Sequence, residues 1–367
     1  MESLNLARVR AELHSTPEYS HKENLTAETI LRYIRATEPD ELYTGIGGHG
    51  IVAGYRGVWP GDSLMFRCEM DAVPTEHGPD HLCGHDGHMA ILIGVANVIS
   101  KARDYPGKVW LFFQPAEEIG EGAARMVVDI SKHRISFDYS FALHNNPRHE
   151  LNKVIMYSDV YAAASVGMEL LFSGSPSHAA FPEQAANPTY AIINIVEEIK
   201  RMNSDKRLFH NFVLGTVVNV HIGEANYGVT PGSGIIRVTL RAYDENDLNL
   251  FCRKIESFAG EKASASGLKV DITYHDRFPS TRNNVLASNM VLEAAQKLGM
   301  PVEWAQAPSR GSEDFAHFTS ISKACFFDIG NGKESDDIHR EGYRFSDEIL
   351  DPAVNLYSSI IYNRQSK

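Results

Sequence analysis

Three consecutive segments between Ser63 and Phe113 constrain the fold of this chain more than any others. A β-rich run from Ser63 to Glu69 leads into a polar loop, then an apolar helical stretch from Met89 to Lys101, then the strand-like VWLFF from Val109 to Phe113. Neighbouring parallel strands need a crossover between them, so strand, helix, strand in this order predicts a parallel sheet covered by helices. Apolar residues at Leu6, Val9 and Leu13, and at Ile30, Leu31 and Ile34, recur at helical spacing, and Gly50 to Tyr55 reads as a further strand. The expected class is α/β: a central mixed, mostly parallel sheet flanked by helices.

The pattern changes after Ala162. Strand (Val166 to Phe172), helix (Pro188 to Met202), strand (Phe212 to His221), strand (Gly234 to Tyr243), helix (Glu245 to Ala263) and strand (Leu268 to Tyr274) follow in turn. That βαββαβ order is the split, ferredoxin-like α+β arrangement, self-contained enough to be an insertion. A helix from Ala287 to Lys297, the strand ACFFDIG and a terminal helix from Pro352 to Asn363 can then complete the first domain. A chain of 367 residues is too long for one ordinary core. The expected division is 1–161 and 277–367 for the main domain and 162–276 for the insert.

Acidic residues outnumber basic ones by 47 to 35, a formal charge of −12. Clustered Lys and Arg drive sequence-independent nucleic-acid binding, so neither nucleic acid nor an anionic membrane surface is an expected partner. The opening MESLNLARVRAELH lacks the continuous apolar core of a secretory signal, and the short MAILIGVANVI run falls well below the roughly 20 residues of a membrane span, so a cytoplasmic protein is expected. Cys68, Cys83, Cys252 and Cys325 are too scattered for a disulfide framework. Cys83 alone stands among histidines; the others read as small core residues.

The chemistry concentrates in four places. In HLCGHDGH, Cys83 and His85 lie two apart, so an extended backbone turns both to one side, with Gly84 allowing close approach. The alternative is a polar turn with Asp86 as helix N-cap and exposed histidines at 85 and 88. In QPAEEIGEGA, Glu117 and Glu118 leave the VWLFF strand at its carboxyl end, where open α/β sheets bind ligands. One could hold a cation while the other moves a proton for hydrolysis, or both could be solvated surface. FALHNNP ends a strand at His144, and DDIHREGY supplies His339. A two-metal site needs donors from several such loops.

With these segments in view, the chain resembles the amidohydrolase branch of the co-catalytic metallopeptidase superfamily, which includes hippurate hydrolase, auxin-conjugate hydrolases, N-acyl-amino-acid deacylases and aminoacylase/carboxypeptidase-like enzymes. LHSTPEYSHKENLT, EMDAVP, CGHDGH, QPAEE, FALHNNP, GSPSHAAFPEQAANP, GSEDFAHF and IHREGYRFSDE carry the resemblance, in the family's order. It implies a zinc-exopeptidase-like sheet, an inserted lid and dimerisation domain, and two divalent metal ions per subunit, zinc or manganese with cobalt or nickel also suited.

The resemblance implies that Cys83 is a shared ligand, His85 and His144 hold one metal, and Glu118 and His339 the other. Glu117 matches the general base, and Asp71 the aspartate that orients a ligand histidine from behind. His178 matches the residue that donates to the oxyanion, in related dimers from the partner subunit, and Gly311 to Phe315 a substrate-lining turn of the catalytic domain, with Gly311 and Ser312 toward substrate. Three features depart from the pattern: Glu69 replaces an aspartate, Gly228 takes the place of an asparagine with Asn226 two residues earlier, and TEHGPDHL is shorter than usual. The implied activity is hydrolysis of the amide of an N-acyl amino acid or similar small conjugate by an activated water. Alternatives are an exopeptidase or dipeptidase on unblocked peptides, a thiol hydrolase using Cys83, and a non-catalytic metal- or ligand-binding homologue.

Overall fold

The computed structural model describes residues 4–363; the first three residues of the opening MESLNLARVRAELH lie outside it. Two compact units emerge. One takes the chain up to Tyr161, Thr281–Pro308 and Glu313 onward, and the other takes Ala162–Ser280 with Ser309–Ser312.

The first unit begins with α1 (Leu6–His14), α2 (Asn24–Arg35), β1 (Glu41–Ile46), β2 (Gly50–Arg56), β3 (Trp59–Glu69), β4 (Val73–Thr75), β5 (Gly78–Asp80), α3 (His85–Lys101), β6 (Pro106–Gln114), α4 (Gly122–Lys132), β7 (Tyr139–Asn146), β8 (Val154–Met156) and β9 (Val160–Ala162). The second unit contributes β10 (Ala164–Ser173), α5 (Thr189–Ser204), β11 (Val213–Ile222), β12 (Ser233–Ala242), α6 (Glu245–Ala265) and β13 (Lys269–Phe278). The chain then returns with β14 (Thr281–Arg282), α7 (Val285–Lys297), β15 (Val302–Trp304), α8 (Ala316–Thr319), β16 (Lys323–Gly330) and α9 (Leu350–Tyr362).

The large sheet runs β1-β2-β6-β3-β7-β16-β8-β15. Its centre is parallel, β6 with β3, β3 with β7 and β7 with β16, while β1, β2 and β8 bring the antiparallel pairings. VWLFF shows why both faces are apolar. Val109, Leu111 and Phe113 pack with α1, α2, α3 and α9, whereas Trp110 and Phe112 pack with Met126 and Ile130 of α4 and Phe318 of α8. Successive side chains alternate faces, and helices cover both, as the crossover argument requires.

The second unit orders its sheet β11-β12-β10-β13, the ferredoxin-like arrangement. Val166, Met168, Leu170 and Phe172 of β10 and Ile236, Val238 and Leu240 of β12 face Ile195 and Ile199 of α5 and Phe251 and Ile255 of α6. The opposite face mixes an Arg237–Glu169 ion pair at 2.6 Å with the exposed side chains of Leu171 and Val218. Cys68 and Cys325 lie in the core of the first unit and Cys252 in that of the second, all with free thiols. Among the described residues no helix is long and apolar enough to cross a membrane.

Candidate metal centre

The chemistry collects at the carboxyl ends of the parallel strands. Asp71 follows β3, Glu117 and Glu118 follow β6, and His144 is near the end of β7. Cys83 and His85 sit at the start of α3, and His339 in the segment after β16. One segment departs from the extended backbone expected of Cys83–Gly84–His85. Gly84 is left-handed at φ 93° and caps α3, whose first residue is His85. A Cβ at Gly84 would meet Asn145 Oδ1 at 2.1 Å, so only glycine lets the turn approach β7 this closely. The alternative of Asp86 as N-cap also fails: Asp86 lies in the first turn of α3, and His85 and His88 are buried.

Five residues expected as ligands converge. Ligand atoms of Cys83, His85 and His144 lie within 4.8 Å of one another, as do those of Cys83, Glu118 and His339. Cys83 Sγ is 3.4 Å from His144 Nε2 and 3.2 Å from His339 Nε2. The imidazoles are held from behind. His85 Nδ1–H donates to the Asp71 carbonyl at 2.8 Å and His144 Nδ1–H to the Asn145 carbonyl at 2.8 Å, which turns each Nε2 lone pair toward the sulfur. The Asp71 carbonyl, rather than its carboxylate, thus orients His85; the carboxylate stands 3.6 Å away and accepts from Ser20 Oγ and Glu118 N–H at 2.8 and 3.0 Å. His339 is pinned by its own N–H, which donates to Leu82 O at 2.8 Å.

These donors fit a pair of divalent cations. Nε2 of His85 and Oε1 of Glu118 are buried without a hydrogen-bond partner, a cost that a cation bound by each would remove. Burial pushes His144 down to about 3, keeping its lone pair free, and pushes the Cys83 thiol up. A buried, protonated thiol is a poor nucleophile, which counts against the thiol-hydrolase alternative. His88 is no free donor: its ring nitrogens meet Glu69 Oε2 and Asn145 Oδ1, each at 2.7 Å.

Glu117 stands at the edge of this group, Oε2 3.9 Å from His85 Nε2. Burial, then the Glu313 and Glu118 carboxylates, pushes its carboxyl up. Behind it lies a charge network that the sequence did not reveal. Arg67, fully buried, donates to Gln114 Oε1 at 2.8 Å, to Glu313 Oε1 at 2.9 Å, to Asp314 Oδ1 at 2.8 Å and to Glu69. The expected substrate-lining turn Gly311 to Phe315 is divided. Gly311 and Ser312 belong to the second unit, while Glu313, Asp314 and Phe315 are buried in the first. An arginine in the apolar run LMFRCE was the available signal, since such a residue needs buried partners.

The remaining expected residues lie in the second unit. Ser312 Oγ accepts from Arg241 Nη1 at 2.8 Å, Gly311 N–H donates to Ser309 Oγ at 3.0 Å, and Asn226 Oδ1 accepts from Gly228 N–H at 2.7 Å. His178 Nδ1 accepts from Ala180 N–H at 3.1 Å, so its proton sits on Nε2.

An α/β unit with clustered candidate metal donors at its strand ends, in a chain that also carries a ferredoxin-like unit, points to a metallohydrolase class. Residues 65–363 match the model of peptidase family M20/M25/M40, and the chain belongs to this family of metal-dependent hydrolases of amide bonds. It is 27% identical to hippurate hydrolase of Campylobacter jejuni, over 96% of this chain and 94% of that relative. It is also 27% identical to an N-acetyl-L-cysteine deacetylase of Bacillus subtilis, over 96% and 87%. The crystal structure of the Bacillus subtilis YXEP protein, described as a dinuclear metal binding peptidase of the M20 family, superposes with a TM-score of 0.83 at 23% identity, covering 97% and 96% of the two chains.

Proposed function

We propose that this protein is an amidohydrolase that releases the acyl group from N-acyl amino acids or similar small conjugates, using two divalent cations, zinc or manganese. The observation that carries this reading is the sharing of Cys83 between two three-donor groups, with Glu117 outside both yet within the same reach of His85 and Glu118. Cys83, His85 and His144 would hold one cation and Cys83, Glu118 and His339 the other. Bound there, the pair would supply Lewis acidity toward the amide carbonyl and acidify water.

The protein's own groups do the rest. Glu117, its carboxyl pushed up by burial and by Glu313 and Glu118, accepts a proton from the attacking water and returns one to the departing amine. Asp71 fixes the His85 tautomer through its carbonyl and holds Glu118 N–H through its carboxylate. His178, protonated on Nε2, can donate to the developing oxyanion. We further propose that the second unit pairs two copies of the chain, that His178 serves the partner's site, and that Asn226, Gly311 and Ser312 contact substrate. The exposed Val218 and Val220 on the edge strand β11 support pairing there. A cytoplasmic setting agrees with four unpaired thiols.

The names of the hippurate hydrolase and the N-acetyl-L-cysteine deacetylase favour blocked amino acids. N-acetyl, N-benzoyl and indoleacetyl amino acids should be hydrolysed in the presence of zinc or manganese, and unblocked dipeptides much more slowly. Turnover confined to dipeptides would replace the substrate class; none on either set with both metals supplied would end the reading.

A further inference from the structure

The segment LHSTPEYSHKENLT contributes no donor, yet it lines the back of the donor set. The Glu18 carbonyl accepts from Ala72 N–H at 2.9 Å and Ser20 Oγ reaches Asp71. Glu23, which precedes α2 and is fully buried, accepts through Oε1 from Ala116 N–H at 2.8 Å. Ala116 is buried and left-handed at φ 53°, a conformation that a residue with a Cβ keeps only when its surroundings impose it. Its carbonyl accepts from the N–H groups of Glu121 and Gly122 at 3.2 and 3.1 Å. A Cβ at Gly122 would lie 1.6 Å from Pro115 O, so the turn closes as tightly as backbone allows. The N–H of Ala116, on one side of Glu117, is held by Glu23; that of Glu118, on the other, is held by Asp71.

We propose that Glu23 is a positioning residue, whose carboxyl fixes the left-handed turn at Ala116 and so aims Glu117 and Glu118 at the donor group. This rests on the reading of Glu117 as base and Glu118 as ligand. Without the acceptor, a buried N–H loses its partner and Ala116 can relax toward negative φ, swinging the two carboxylates that follow.

The test compares Glu23→Ala, Glu23→Gln and Glu18→Ala in the full, metal-loaded chain, reading kcat and KM on an N-acyl amino acid and the absorption of bound cobalt(II) during titration. Glu23→Ala should lower kcat about a hundredfold with little change in KM, and weaken the second cobalt equivalent. Glu23→Gln should keep most of both, because its amide oxygen can accept the same N–H. The Glu18 carboxylate accepts from Thr26 N–H and Oγ1 at 2.8 and 2.9 Å, so Glu18→Ala should lose stability while keeping kcat and the cobalt spectrum. Wild-type kcat and cobalt affinity in Glu23→Ala, or the same losses in Glu18→Ala at equal melting temperature, would overturn the proposal. Should Glu23→Ala fail to fold, Glu23→Asp, one methylene short of Ala116, should show the same pattern in milder form, and an unaltered cobalt titration there overturns it too. Full turnover in Glu117→Gln would remove the base reading by itself, leaving cobalt affinity in the Glu23 variants to decide whether Glu23 places Glu118.

Discussion

Arg67 and Asp314, 247 positions apart in the chain, meet through a 2.8 Å contact between Nη2 and Oδ1 with neither side chain exposed to solvent. The guanidinium also faces Glu69 and Glu313, so it is the cation that makes three buried carboxylates tolerable next to Glu117. Replacing it by methionine keeps the volume and abandons those carboxylates. Arg67→Met should cost about 3–5 kcal/mol, read as a lower denaturant midpoint at constant slope. A midpoint equal to wild type would show that the network is dispensable.

Glu117→Gln keeps the shape of the side chain and removes its basicity. Turnover should fall about 10²- to 10⁴-fold while two metal equivalents stay bound. Metal analysis on the purified variant decides the matter, because loss of an equivalent alongside activity would make Glu117 a ligand.

Stripping with a chelator should abolish turnover and lower the melting temperature. Cations that bind the folded donors and not the unfolded chain stabilise in proportion to the logarithm of their free concentration. Calorimetry across a zinc or manganese titration should therefore show a rising midpoint; a flat one would mean that Cys83, His85, His144, Glu118 and His339 do not bind as a unit.

Asp86 gives the pH prediction. Burial alone would raise its carboxyl, but the hydrogen bond from His14 and the charge of Arg10 help bring it down to about 2. Its Oδ2 takes Arg10 Nη1 at 2.8 Å and His14 Nδ1 at 2.9 Å. A carboxyl held lower in the folded than in the unfolded state stabilises above the unfolded value, near 4, and loses that contribution as pH falls toward 2. The amount is on the order of 2 kcal/mol. Asp86→Asn should thus be less stable than wild type at pH 6, with the gap narrowing below pH 4. An unchanged gap from pH 6 to 3 would refute the assignment.

The alternation of VWLFF and the strand, helix, strand order made the sheet legible, since both follow from local periodicity. CGHDGH and QPAEE exposed the candidate site residues for the same reason: polar side chains two apart, or adjacent at a strand end, are a local pattern. The conformation joining Cys83 to His85 was not legible, because Gly84 adopts a left-handed turn that only the proximity of Asn145 explains. Nor did the residues around Arg67 point to Glu313 and Asp314, since a contact across 247 positions leaves no periodic trace. The strand β1, ELYTGI, and the helix α4 also passed unnoticed. The first has only a partly buried, mixed pattern, and the second begins in a glycine-bearing turn whose shape depends on Pro115.

Because Glu313, Asp314 and His339 are all encoded after the inserted unit, synthesis delivers the counter-charges of Arg67 and the final imidazole last. A polypeptide released from the ribosome before those residues would retain Cys83, His85, Glu117, Glu118 and His144, but of the three carboxylates around Arg67 it would keep Glu69 alone. Such a product lacks one of the five proposed ligands and two of the acidic partners of its most deeply buried arginine, so both the centre and its support are completed by the final stretch of synthesis.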